Sequence, residues 1–238
     1  MASKGRFRSL QNYVPSINVG NNVIATSTGA RNLGVFFDRH LDMRQHILNT
    51  CRVCYFQLRQ LRVICRHLSK DVLKTLLHAF VSTRLDYCNS LLYGLPQCDM
   101  RKLQSVQNAA ARLIGGLRKC DHITILTRDM LHWLPIKQRI NFKIAVLTYK
   151  ALHQQAPCYI TSMCHLASDS SGLICHRSAT NSELIPASWN SVFYGKRSFY
   201  YAAPKVWNSL PVFTRHQNSL AAFTKDLKTV LFNQAYFA

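Results

Sequence analysis

Acidic side chains are scarce in this sequence. Its 238 residues hold 10 Asp plus Glu against 30 Lys plus Arg, Glu183 is the one glutamate, and the formal charge is +20. Two-metal phosphoryl transfer needs at least two carboxylates converging on ions about 4 Å apart, and this chain has little material for that. Long apolar runs are missing as well. No stretch approaches the roughly 18 uninterrupted apolar residues of a membrane span, and the opening "MASKGRFRSL" lacks the apolar core of a signal peptide. There is no glycine-rich phosphate loop. The 10 histidines are scattered singly, and none stands with a serine or cysteine in a recognisable nucleophile arrangement. The expectation is no catalytic centre and no resident cofactor.

What is present is a folding chain, 48% hydrophobic and long enough for one large domain or two small ones. Its charge surplus makes polyanions the natural partner. An anionic membrane would satisfy the same charge, but no lysine-rich amphipathic tail or lipidation motif supports it, so RNA, DNA or an RNA–DNA hybrid is the expected partner. The 9 cysteines are an odd number, and Cys51, Cys54 and Cys65 fall on apolar helical faces. They read as reduced, buried thiols of an intracellular protein of the nucleus or cytoplasm.

Residues 14–37 come in short apolar pulses, "SINVG", "NNVIATS" and "NLGVFF", punctuated by Gly20 and Gly29. They predict small antiparallel strands. From Asp42 the period changes to three and four through Ile47, Cys51, Cys54, Leu58, Leu61, Cys65 and Leu68, predicting a long helix over 42–68. Ser69 suits the cap of a following helix with Leu73, Leu76, Leu77, Phe80 and Val81 inward, running to about Tyr87. A third helix is predicted over 99–114, stopping at Gly115-Gly116, and Pro135 fits the start of a fourth that ends before Pro157. Residues 167–182 read as an exposed linker, the pieces around Ile185 and Phe199 as extended, and 219–234 as a last helix. The fold class is mainly α with a small N-terminal antiparallel β element. It divides as a β region at 1–41, a helical domain at 42–120, further helix at 121–166, the linker, and a terminal segment at 183–238.

Asp86, in "RLDYCNS", has no acidic neighbour within ten residues and reads as a helix-end aspartate. Asp38 and Asp42 look like the acidic entry to the long helix. Cys51-x-x-Cys54 has ligand spacing but no matching second pair, and Cys158, Cys164, His165, Cys175 and His176 fit no zinc pattern, so no metal site is expected. The basic residues are better organised. Arg52, Arg59 and Arg66 recur every seven residues, drifting about 20° per step on a helix. Arg44 and Arg62 fall beside that stripe, and no acid intervenes between Asp42 and Asp71. The face is either plain solvated surface or a phosphate-tracking surface.

Five stretches occur in a telling order: "RNLGVFFDRHLDMRQHI", "HAFVSTRLDYCNSLLYGLP", "LQSVQNAAARLI", "HITILTRDMLHWLPIKQRINFKIAVLTYKAL" and "YAAPKVWNSLP". The series resembles the C-terminal part of the reverse transcriptase of non-LTR (LINE-type) retrotransposons, in the jockey-like and chicken-repeat-like clades, over about residues 8–238. The resemblance implies that Asn32, Leu33, Gly34 and Val35 form the primer-grip hairpin at the palm–thumb junction. It implies that the helices from 42 to about 115 form a thumb holding the template–primer duplex, Arg44, Arg52, Arg59, Arg62 and Arg66 facing nucleic acid. The family's tyrosine-and-two-aspartate catalytic motif is absent, as are the other palm aspartate, the fingers and the endonuclease. The expectation is a non-polymerising fragment of such an enzyme, in which Mg²⁺ would belong to the missing palm and the remainder of the polyprotein, if present, would be a partner. The alternative is a degenerate or repurposed reading frame acting as an interaction domain.

Overall fold

The computed structural model describes residues 16–25, 27–118, 120–169, 182–186 and 195–237. The chain is mainly helical with a small antiparallel β element at the front. Strands β1 (Ser16–Val19) and β2 (Asn22–Ala25) form one hairpin, and β3 (Gly29–Asn32) and β4 (Val35–Asp38) a second, with Asn32 paired to Val35. Leu33 and Gly34 turn the second hairpin with φ of 45° and 83°. Two consecutive positive φ values match the right-handed strand twist. Val35 is buried, tying this hairpin to the helical core.

Helix α1 (Arg44–Ile64) buries Ile47, Cys51, Cys54, Leu58 and Leu61, largely against α3 (Gln97–Gly115). It is shorter at both ends than the predicted 42–68. At the front, Asp38 Oδ1 accepts from the Asp42 N–H at 2.8 Å, so Asp42 belongs to the preceding turn and no acid lies in the first helical turn. At the back, Cys65–His67 tighten into a 3-10 turn. Ser69 caps α2 (Lys70–Leu77) as expected, its Oγ accepting from the Val72 N–H at 3.3 Å. A wide π-type turn at His78–Ser82 follows, then a helical turn at Thr83–Asp86. That turn corrects one inward assignment. Leu73, Leu77, Val81 and Leu85, four apart, stay buried, whereas Phe80 is exposed. A turn with more residues than an α-helix favours steps of four and swings the i+3 position outward.

Pro96 and Pro135 stand at the starts of α3 and α4 (Ile136–Leu152), where a missing N–H costs nothing. Gly116, at φ 63°, closes α3 by donating to the Arg112 carbonyl. The extended reading around Phe199 is corrected, because Phe199–Asn208 is helix α5. Its aromatic start favours a strand locally, but Ala202, Ala203, Val206 and Trp207 share one buried helical face that packs on α4. Around Ile185 the chain is extended, with Leu184 bridging to Leu166. Helix α6 (Leu220–Tyr236) is capped by Ser219 and also packs on α4.

One hydrophobic cluster runs from Val35 to Leu231. Its centre is aromatic: the Tyr149 ring stacks on Phe223 with centroids 4.4 Å apart, and Trp207 lies 5.7 Å from Phe223. Trp207 Nε1 donates to the Ser182 carbonyl at 2.8 Å and the Tyr149 hydroxyl to the Gln217 carbonyl at 2.9 Å, so both buried polar tips are satisfied. Most of the predicted linker at 167–182 lies outside the described residues. Among the described residues, no helix is long and apolar enough to cross a membrane.

Candidate functional site

The outward face of α1 carries the predicted basic stripe. Packing Ile47, Cys54, Leu58 and Leu61 into the core turns Arg52, Arg59, Arg62 and Arg66 to solvent, all exposed. Arg52 and Arg59 stand about 10 Å apart along the axis, and Arg66 follows in the 3-10 turn. None of the four pairs with a carboxylate among the described residues. The face is not purely cationic. Leu48, Tyr55, Phe56 and Val63 are exposed between the arginines, Phe56 and Val63 at 49% and 65%. Sequence periodicity missed this, because it sorts residues by the buried side. A face that leaves aromatic and guanidinium groups together is unlike ordinary solvated surface, where acids and bases alternate.

Arg44 departs from the stripe. Its Nε lies 3.6 Å from Asp99 Oδ2, and Asp99 is buried. Lys102 holds the other oxygen of Asp99 at 2.8 Å, an ion pair that pushes the Lys102 ammonium above its ordinary range. The first residue of α1 is therefore fastened to the first turn of α3.

The predicted primer-grip residues Asn32, Leu33, Gly34 and Val35 do form a hairpin end, with Asn32, Leu33 and Gly34 exposed. Tyr87 braces it from the helical body. Its hydroxyl donates to the Leu33 carbonyl at 2.6 Å, and a methyl group placed on Gly34 would meet the Tyr87 ring at 3.5 Å. The tyrosine of "RLDYCNS" thus positions a turn. The neighbouring Asp86 is a helix-end residue held by Arg139 of α4 at 2.7 Å. Arg139 also donates to the Leu134 carbonyl and lies over the Trp133 ring. Asp86 is a strut between helices, and only the tertiary structure supplies its partner.

The cysteines divide. Cys51, Cys54 and Cys164 are buried, and burial raises their thiols, Cys54 and Cys164 each from 9.0 to about 11. Cys65, expected on the buried face, is only half-buried because α1 gives way to a 3-10 turn there, and Cys98, Cys120 and Cys158 are exposed at helix starts and in a loop. Among the described residues, no three His, Cys, Asp or Glu side chains gather as a metal site requires. Cys175 and His176 lie outside the described residues.

No protein-family model matches this chain, and no curated protein or solved structure matches it either.

Proposed function

We propose that this protein binds nucleic acid through the phosphate backbone, as the thumb of a LINE-type reverse transcriptase holds a template–primer duplex, and that it does not polymerise. The observation that carries the reading is the α1 face, where four exposed arginines stand unpaired among the described residues with aromatic groups between them. A net charge of +20 supports it by raising the local concentration of any polyanion. The braced hairpin at Leu33-Gly34 supports the resemblance to a primer grip. The compartment that fits is the nucleus or cytoplasm, where such templates are found. A second reading, an interaction domain without nucleic-acid activity, is favoured by the β1–β2 hairpin, where Ile17, Val19, Val23 and Ile24 are all more than half exposed.

Changing Arg52, Arg59 and Arg66 together to glutamine separates the two. Each phosphate contact releases condensed counterions, so the log–log salt slope for duplex binding should flatten by about two to three units. Binding should be nearly independent of sequence before and after. The measurement is fluorescence anisotropy of a labelled RNA–DNA hybrid at several salt concentrations, with circular dichroism confirming the fold. An unchanged slope in a folded variant would refute the phosphate-tracking reading.

A further inference from the structure

A second basic surface lies away from the α1 stripe. A cleft of about 810 Å³ opens where α3 and α4 begin and the Gly195–Arg197 turn and α5 approach them. Arg44, Arg101, Lys137, Lys196, Arg197 and Lys205 line it, from five separate stretches of chain. Two carboxylates, Asp42 and Asp99, share the lining, leaving a surplus of four positive charges. The charge of Asp99 is already engaged by Arg44 and by Lys102. Arg101, Lys137, Lys196 and Lys205 pair with no carboxylate among the described residues.

Like charges gathered from distant parts of a chain repel one another, and an empty cleft gains nothing from them. An anion threading between them would remove that repulsion. The field in the cleft comes from its side-chain cations rather than from free helix ends, because Gln104 accepts the first N–H of α4 and Asp99 stands in the first turn of α3. One further feature narrows its chemistry. The floor is apolar and aromatic, with Tyr93 and Tyr201 in the lining and Lys205 Nζ lying 5.7 Å over the Tyr201 ring. Cations spread along an open groove beside two half-buried tyrosine rings suit a flexible strand whose phosphates and bases alternate. A compact anion would leave most of the cations unanswered.

We propose that this cleft binds the sugar–phosphate backbone of a single nucleic-acid strand, separately from duplex binding on α1. Arg44 belongs to the cleft, the stripe begins at Arg52 about 12 Å further along α1, and α1 ends roughly 30 Å from Arg44, just before Arg66, at 1.5 Å rise per residue. The two surfaces are therefore separable by mutation, and the proposal does not rest on the reading of the α1 face.

The test uses the full chain with Lys137, Lys196 and Lys205 changed together to glutamine, titrated against a labelled 12-nucleotide single strand and a blunt duplex. Affinity for the strand should fall at least about tenfold. Its log–log salt slope should flatten by about two units, three contacts at roughly 0.7 each. Duplex affinity should change less than about twofold. The matching lysine-to-arginine variant should keep strand binding, which guards against a folding defect in the glutamine variant. Strand affinity that does not change, or that falls equally for strand and duplex, would overturn the proposal. Competition with ATP distinguishes a strand from a free nucleotide. Displacement only at concentrations matching its ionic strength supports the strand, and displacement at micromolar ATP overturns it.

Discussion

Gln104 and Gln107, one turn apart on α3, do more for the helical body than their types announce. Gln104 Oε1 accepts from the Ile136 N–H at 3.0 Å, satisfying the first donor of α4, and Gln107 Nε2 donates to the Leu134 carbonyl at 2.8 Å. Gln104 Nε2 in turn donates to Gln107 Oε1 and Asn108 Oδ1. Gln107 is buried, so its amide is not exchanged cheaply for water. Gln107→Leu keeps roughly the volume but removes one of the two donors to the Leu134 carbonyl, leaving Arg139 Nε as the other. It should destabilise the protein by about 0.5–1.5 kcal/mol, read from the urea midpoint. A neutral result would mean that the Arg139 contact alone satisfies that carbonyl. Nothing in the sequence separates Gln107 from a surface glutamine, because its partner lies 27 positions away.

At the level of elements, helices and turns were legible where local chemistry decides. Ser69 and Ser219 cap the helices that follow them, Pro96 and Pro135 stand at starts, and Gly116 ends α3. The β3–β4 hairpin follows the same logic, since its turn needs positive φ at two successive residues. Gly34 adopts φ 83° without a Cβ penalty, whereas Leu33 at 45° bears one. Gly34→Ala should therefore cost about 1–2 kcal/mol through backbone strain. A new methyl group would meet the Tyr87 ring only at ordinary contact distance. The loss should appear as faster amide exchange across β3 and β4, with the helices unaffected. Equal acceleration in α1 would show that the hairpin and the helical body open together.

Across the whole molecule, the buried thiols give stability an alkaline edge. Cys54 and Cys164 are pushed up from 9.0 to about 11 by burial, and Cys51 is raised for the same reason. The unfolded chain ionises these thiols first, so their contribution is complete below pH 9 and is lost as pH rises toward 11. The urea midpoint should fall through that window. In a Cys54→Ala, Cys164→Ala variant the fall should be shallower, by no more than about 1 kcal/mol per pH unit per thiol once solvent screening is allowed for. Comparing slopes rather than absolute midpoints removes the cavity cost of the alanines and the neutralisation of lysines, which both proteins share. Parallel slopes would show that the thiols are hydrated.

Periodicity and composition were enough to place five of the six long helices, their caps, the front hairpins and the arginine stripe, because each follows from contacts within a few residues or from charge counted along the chain. Arg52 and Arg59 had to share a face once α1 was a helix, and Arg66 follows in the 3-10 turn. Contacts between distant segments set the rest. Phe199 opens a helix because Ala202, Ala203 and Trp207 find α4 to pack against. Phe80 turns outward because a wide turn keeps Val81 and Leu85 in the core. Asp86 is a strut because Arg139 reaches it from 53 positions away. Arg44 left the stripe for Asp99, and lysines from α4, α5 and the turn before it came to share a cleft, because the core brings those ends together. Local pattern encodes which face of a helix is buried, and the choice of neighbour is made only when all the faces are buried at once.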